Sequence, residues 1–144
     1  MSEDRKVAII TGSSQGLGAS IAIKLSQRNI NLVINYSNNK DMALKIKDEC
    51  VNNGVEAITV QADVSSDDDC KKLVQETINT FGKVDILVNN AGTTKFADHS
   101  KLDKLNDEDF INIYKVNVIG PYQMIRAVEP IMKENGFGSV VNIS

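Results

Sequence analysis

At 144 residues the chain has the length of one domain with a core of useful size. Its charged (24%) and apolar (42%) fractions are those of a folded globular chain, and a net charge of −3 argues against a nucleic-acid or anionic-membrane surface. The segment from Met1 to Lys6 is charged and is followed by only four apolar residues, too few for a signal-peptide core or a membrane span, so the expected location is cytoplasmic. Two cysteines and one histidine are too few for a zinc site. Cys50 and Cys70 fall on the apolar stripes of helices and are expected to pack as small hydrophobes, with His99 an ordinary loop residue.

The apolar run Val7-Ala8-Ile9-Ile10 reads as a strand buried on both faces. It breaks into Thr11-Gly12-Ser13-Ser14-Gln15-Gly16-Leu17-Gly18 and then into a helix whose stripe is Leu17, Ile21, Ala22 and Leu25. Gly12 is expected to reverse the backbone at positive φ, Gly16 to admit a ligand closely, and Gly18 to let helix and strand pack. A helix start carries unpaired N–H groups and about half a positive charge, which suits a pyrophosphate, and Ser13 and Ser14 add hydroxyls. The competing reading is a glycine-rich turn that holds nothing.

A second strand, Leu32 to Ile34, leads through the polar loop Asn35 to Asn39 into a helix with Met42, Ala43, Ile46 and Cys50 on one face, stopped by Asn52-Asn53-Gly54. A third strand, Ala57 to Val60, ends in Ala62-Asp63-Val64. Ser66 then caps a helix with Asp67, Asp68 and Asp69 in its first turn, where the macrodipole favours negative charge and a metal site is the weaker alternative. Its stripe is Cys70, Leu73, Val74, Thr77, Ile78 and Phe81, closed by Gly82. A fourth strand, Val84 to Val88, opens into Asn89-Asn90-Ala91-Gly92 and a long polar loop. Asn106 starts one long helix whose stripe runs through Phe110, Ile113, Tyr114, Met124, Ile125, Val128 and Met132 to Asn135-Gly136, and a fifth strand, Ser139 to Ile143, follows.

Strands alternating with helices of this length predict an α/β fold, a doubly wound parallel sheet with right-handed crossovers and helices on both faces. Ligands of such sheets bind beyond the carboxyl ends of the strands, at the switch point beside the first strand. That rule selects the loops Thr11 to Gly18, Asn35 to Lys40, Asp63 to Ser65 and Asn89 to Gly92.

Asn117 falls at i+7 from Phe110 and i+4 from Ile113, on the predicted apolar face, where an amide is costly unless bonded. Pro121 has no N–H to give the carbonyl of Asn117, so the helix is expected to kink there. A buried amide bracing the helix against the neighbouring strand is the alternative to a functional role.

The motifs Thr11-Gly12-x-x-x-Gly16-x-Gly18, Ala62-Asp63-Val64, Asn89-Asn90-Ala91-Gly92 and Lys115-Val116-Asn117-Val118 resemble, in order and spacing, those of the short-chain dehydrogenase/reductase family. Within it the chain looks most like the 3-oxoacyl-acyl-carrier-protein reductases and the glucose dehydrogenases. The resemblance implies a Rossmann-type sheet in the order 3-2-1-4-5, one dinucleotide-binding domain over residues 1–144, with the later part of the family fold missing from it. It gives Gly12, Ser14, Gln15, Gly16, Leu17 and Gly18 to the cofactor's pyrophosphate, and Asp63 to the adenine amino group, with Val64 beside the ring. Asp63 as a cap of the next helix is the alternative. Asn90, Ala91 and Gly92 would line the ribose and nicotinamide side, against the reading of a tight turn held by asparagine side chains.

Cofactor choice falls at the end of the second strand, where an NAD enzyme usually carries a carboxylate and this chain has Tyr36. A carboxylate about 4 Å from a 2′-phosphate would repel it by roughly 4 kcal/mol at an effective dielectric of 20, so its absence favours NADP, with NAD the other choice. Ser37, Asn38 and Lys40 are candidates for holding the phosphate, or simply a polar turn. Gln15 stands where many NADP members have arginine. The resemblance also places Asn117 in a proton relay.

In the family a Tyr-x-x-x-Lys pair and a serine supply the proton, beyond the fifth strand. The one such pair here, Tyr36 to Lys40, lies at the adenosine end and is read as accidental. The chain by itself is therefore expected to bind cofactor weakly, to turn nothing over and to expose an apolar edge strand. It reads as part of an NADP-linked reductase of a small-molecule carbonyl or alcohol, a homo-oligomer (dimer or tetramer) pairing through the long helix. The other reading is a short nucleotide-binding protein acting as a regulator or inactive partner.

Overall fold

A computed structural model describes residues 4–144; Met1 to Glu3, the start of the charged N-terminal segment, lie outside the described residues. Five parallel strands form one sheet in the order β3-β2-β1-β4-β5. They are β1 (Val7–Ile10), β2 (Asn31–Tyr36), β3 (Ala57–Gln61), β4 (Ile86–Asn89) and β5 (Ser139–Asn142). The helices between them are α1 (Gly16–Ser26), α2 (Lys40–Asn52), α3 (Asp67–Phe81), α4 (Asp107–Tyr114) and α5 (Gly120–Asn135). This is the expected Rossmann-type, doubly wound arrangement. Among the described residues no helix is long and apolar enough to cross a membrane.

Successive residues of a strand point to opposite faces, so β1 divides its side chains between two cores. Val7 and Ile9 pack with Val33, Leu73, Met124 and Val128 under α3 and α5. Ala8 and Ile10 pack with Leu32, Ile34, Ala22 and Ala43 under α1 and α2. Every residue of β1 and β2 is buried, as in central strands of a parallel sheet covered on both faces. Cys50 and Cys70 are free and buried, and burial pushes the Cys70 thiol up to about 12.

The caps follow the sequence closely. Ser66 Oγ accepts from the Asp69 amide at 3.3 Å, and Gly82 ends α3 at φ 76°. Asn106 and Asp109 form a reciprocal capping box at the start of α4, bonded at 3.0 and 2.9 Å. Three expectations are corrected. The single long helix is two helices joined by a π-helical turn, Lys115–Ile119, in which the Gly120 amide reaches back to the carbonyl of Lys115. Pro121 removes the N–H that Asn117 would need four residues on, and the chain answers with an extra residue in the turn.

Burial differs too. Phe110 and Tyr114 are 64% and 58% exposed, because α4 stands off the sheet and buries nothing; Leu17 is 55% exposed, at the lip of the glycine turn and outside the stripe of α1. Strand β2 runs on through Asn35 and Tyr36, both buried, so the polar loop begins only at Ser37.

Candidate functional site

Two buried side chains that sequence reasoning passed over build the turn after β1. The Asn35 carboxamide, 2% exposed, accepts from the Gly12 amide at 3.0 Å and donates to the carbonyls of Val60 and Ala62 at 3.2 and 3.1 Å. It thereby ties the turn to the ends of β2 and β3. On the other side the Thr11 hydroxyl accepts from the amides of Asn90 and Ala91 at 3.0 and 2.9 Å. Asn90 Nδ2 returns the link, donating to the carbonyls of Thr11 and Gly12 at 3.2 and 3.0 Å. Asparagine in a loop signals a turn from sequence alone; only the register β1↔β2 and β1↔β4 shows what these side chains join.

Ser13 is corrected in the same way. Its hydroxyl donates to the Ile10 carbonyl at 2.7 Å and accepts from the Asn35 amide at 3.0 Å, fully buried, so it serves the turn and offers nothing outward. The Gly12 and Ser13 amides are spent on Asn35. The amides of Ser14, Gln15, Gly16, Leu17 and Gly18 donate to no other described residue. They form the start of α1, where a partial positive charge gathers.

The three glycines of the turn differ in their surroundings. Gly12 and Gly16 have φ of 61° and 59°, a region that disfavours any side chain. A Cβ on Gly16 would meet nothing within 4 Å, so open space lies over it. A Cβ on Gly18 would come within 2.5 Å of Asn90 Nδ2 and of the Gly12 carbonyl, so this glycine is there for packing.

A groove of about 830 Å³ runs along the carboxyl ends of the strands from β3 to β4. Gly12, Ser14, Gln15 and Gly16 line it beyond β1, and Tyr36 and Ser37 line it at the end of β2. Asp63 and Val64 come from the end of β3, and Asn90, Ala91 and Gly92 from the end of β4. Of the predicted residues, Leu17 and Gly18 lie off the groove lining, as does Lys40, one of the candidates for the phosphate. The basic side chains that do line it are Lys72 on α3 and Lys115 on the π turn.

Asp63 does not cap α3, whose cap is Ser66. One of its oxygens, Oδ1, accepts from the amide and hydroxyl of Ser65 at 2.9 and 2.7 Å, while its own amide donates to Asp69 Oδ2 at 2.8 Å. Val64 is buried, its carbonyl accepting from Gln123 Nε2 at 2.8 Å.

Asn117 departs from its expected place. It is exposed, not on a buried apolar face, and lines a second cavity of about 660 Å³ with Thr93, Thr94 and Pro121. Its Oδ1 accepts from the Thr93 amide at 2.8 Å and its Nδ2 donates to the Thr93 carbonyl at 2.9 Å. The amide is therefore a brace, but to the segment after β4 and in the open. Asn90, Ala91, Gly92 and Thr93 border both cavities, which meet at the end of β4. Two residues along, Lys95 pairs with Asp109 at 2.9 Å, and the Asn106 amide and Lys95 hold that carboxyl below its usual range.

A family profile described as short chain dehydrogenase matches residues 6–144. A 3-oxoacyl-acyl-carrier-protein reductase FabG from Staphylococcus epidermidis is 34% identical over 139 residues, covering 96% of this chain and 56% of the reductase. Among solved structures, a metagenomic short-chain oxidoreductase in complex with NADP superposes with a TM-score of 0.89 at 30% identity, over all of this chain and 63% of that one. NAD+-bound xylitol dehydrogenase superposes with a TM-score of 0.86 at 28% identity, over 95% of this chain and 52% of that one. The chain thus spans about half the length of the curated relative it matches.

Proposed function

The chain belongs to the short-chain dehydrogenase/reductase family, and from that membership we propose that it is the cofactor-binding part of an NAD(P)-dependent oxidoreductase, NADP(H) favoured, acting on a carbonyl or alcohol substrate as a 3-oxoacyl reductase does. The observation that carries the reading is the row of unengaged amides from Ser14 to Gly18 beneath the open face of Gly16. Donors fixed in the backbone, at a helix start, cost no reorganisation when a pyrophosphate arrives.

The residues present fit a dinucleotide along the groove. The bound nicotinamide would supply or accept the hydride. Ser14, Gln15 and Gly16 hold the pyrophosphate, with Gly12 and Gly18 shaping the turn and Leu17 contributing its amide. The second oxygen of Asp63 is left to accept the adenine amino group, beside Val64. Asn90 keeps the turn and the end of β4 in register, and Ala91 and Gly92 leave room at the nicotinamide end. Tyr36 and Ser37 place no carboxylate at the ribose, which supports NADP over NAD.

Asn117 is a positioning residue that holds Thr93, and with it Gly92, at the border of the two cavities; its carbonyl, denied an N–H by Pro121, is the group for a proton relay. A homo-oligomer pairing through α4 and α5 belongs to the same reading, supported by the exposure of Phe110, Tyr114 and Tyr122.

Titration of NADPH fluorescence with the protein and with Gly16→Val tests the reading. Saturable binding that the variant loses is the expected result. Equal binding by both proteins would overturn the assignment of the turn.

A further inference from the structure

The cation that selects a phosphorylated ribose should lie on the wall of the groove near the ends of β2 and β3. Lys40, the nearest basic residue in sequence to Tyr36, begins α2 and stays off the groove lining. Lys72, more than thirty residues further on, lines the groove with Ser37, Asn38 and Gln61. Gln61 ends β3 and α3 begins at Asp67, so a short crossover returns Lys72 to the end of that strand, where its ammonium meets the Gln61 carbonyl.

Three observations make Lys72 more than a surface lysine. Its Nζ donates to the Gln61 carbonyl at 2.8 Å, which anchors the ammonium at the last residue of β3. Gln61 in turn donates through Nε2 to the Ser37 carbonyl at 2.9 Å, so ammonium, edge strand and the loop after β2 are linked in one chain of contacts. An ammonium has three donors, the Gln61 carbonyl takes one, and Lys72 forms no ion pair with another described residue. The other basic side chain on the groove, Lys115, belongs to the π turn joining α4 and α5.

We propose that Lys72, carried by α3 and held by Gln61, is the specificity-determining cation for a 2′-phosphorylated adenosine, in place of Lys40. The proposal rests on the groove being a dinucleotide site. Ser37 and Asn38 supply polar contacts on the same wall, and the ammonium supplies the charge that separates a phosphate monoester from a ribose hydroxyl. A contact of this kind at an open site weakens as salt is added.

The test uses 2′,5′-ADP and 5′-ADP as probes, which share adenosine and differ in the 2′-phosphate, titrated calorimetrically against the full chain, Lys72→Met and Lys40→Met. Methionine keeps the length of the stem and removes the charge. Lys72→Met is expected to lose about tenfold in affinity for 2′,5′-ADP and to keep that for 5′-ADP within twofold. Lys40→Met is expected to change neither by more than twofold, and the gap for Lys72→Met should narrow with added salt. Loss of 2′,5′-ADP binding in Lys40→Met and not in Lys72→Met overturns the proposal, as does an equal loss of both probes in Lys72→Met. In either case the dinucleotide reading survives, because the unaltered chain still binds. Failure of the unaltered chain to bind either probe overturns that reading and this one together.

Discussion

The strands β2 and β5 are both short, both parallel to their neighbours and both carry apolar residues flanked by asparagine or serine, yet every residue of β2 is buried and every residue of β5 is exposed. The difference is position. β2 has a strand on each side and helices over both faces; β5 is the edge beyond β4, and Val140 and Val141 remain 40% and 44% exposed. The same contrast separates the helices. α3 buries Cys70, Leu73, Val74 and Thr77, whereas α4, with a comparable apolar stripe, buries none of its residues. An apolar pattern states what a segment can bury; the neighbours decide whether it does. The half of the sheet around β1 and β2 is therefore the buried half, and it is there that the glycine turn is anchored.

That contrast can be broken most severely at Asn35. Asn35→Ala leaves the Gly12 amide and the Val60 and Ala62 carbonyls without their partner in a buried place, so a loss of about 3 kcal/mol or more is expected. Urea denaturation would read it as a lower midpoint at unchanged slope. A midpoint within error of the unaltered chain would show that the turn is held by something else.

The next largest effect compares like with like. Val33→Ala, at a fully buried site in β2, should cost about 2 kcal/mol, while Val141→Ala in β5 should stay within about 0.5 kcal/mol. Equal losses would mean that β5 is covered in solution, for instance by a second copy of the chain.

At Asn117, replacement by leucine removes two hydrogen bonds to Thr93 at an exposed site, and about 1 kcal/mol is expected. Faster hydrogen exchange at the Thr93 amide, with the rest of the sheet unchanged, would locate the loss in the segment after β4.

The smallest effect is electrostatic. Hydrogen bonds from Arg126 and then Lys71 hold the Asp67 carboxyl below its ordinary value. A carboxyl lowered by folding stabilises fully above its unfolded pKa, and that contribution is lost as the pH falls through the folded value. Stability should therefore decline on acidification below about pH 4, and Asp67→Asn should flatten that acid limb slightly. An identical acid limb in both proteins would show that the link from α3 to α5 through Arg126 contributes nothing in solution.

The local signals alone determined a good deal here. Four residues without a polar break made β1 a central strand; Ser66, Gly82 and the Asn106–Asp109 pair set helix ends, because capping is a contact between residues three or four apart. The glycine spacing after β1, and the proline that disturbs the helix near Asn117, act over equally short distances. What the tertiary structure decided is everything that crosses the sheet. Asn35 is a polar residue after a strand until the pairing of β1, β2 and β3 sets it among Gly12, Val60 and Ala62; Lys72 reaches the groove only because the fold returns it from α3 to the Gln61 carbonyl at the end of β3. Phe110 looks like core in sequence and is surface in the fold. Periodicity records which residues share a face, but burial is a property of what lies opposite that face, and that is set by contacts between segments far apart in the chain.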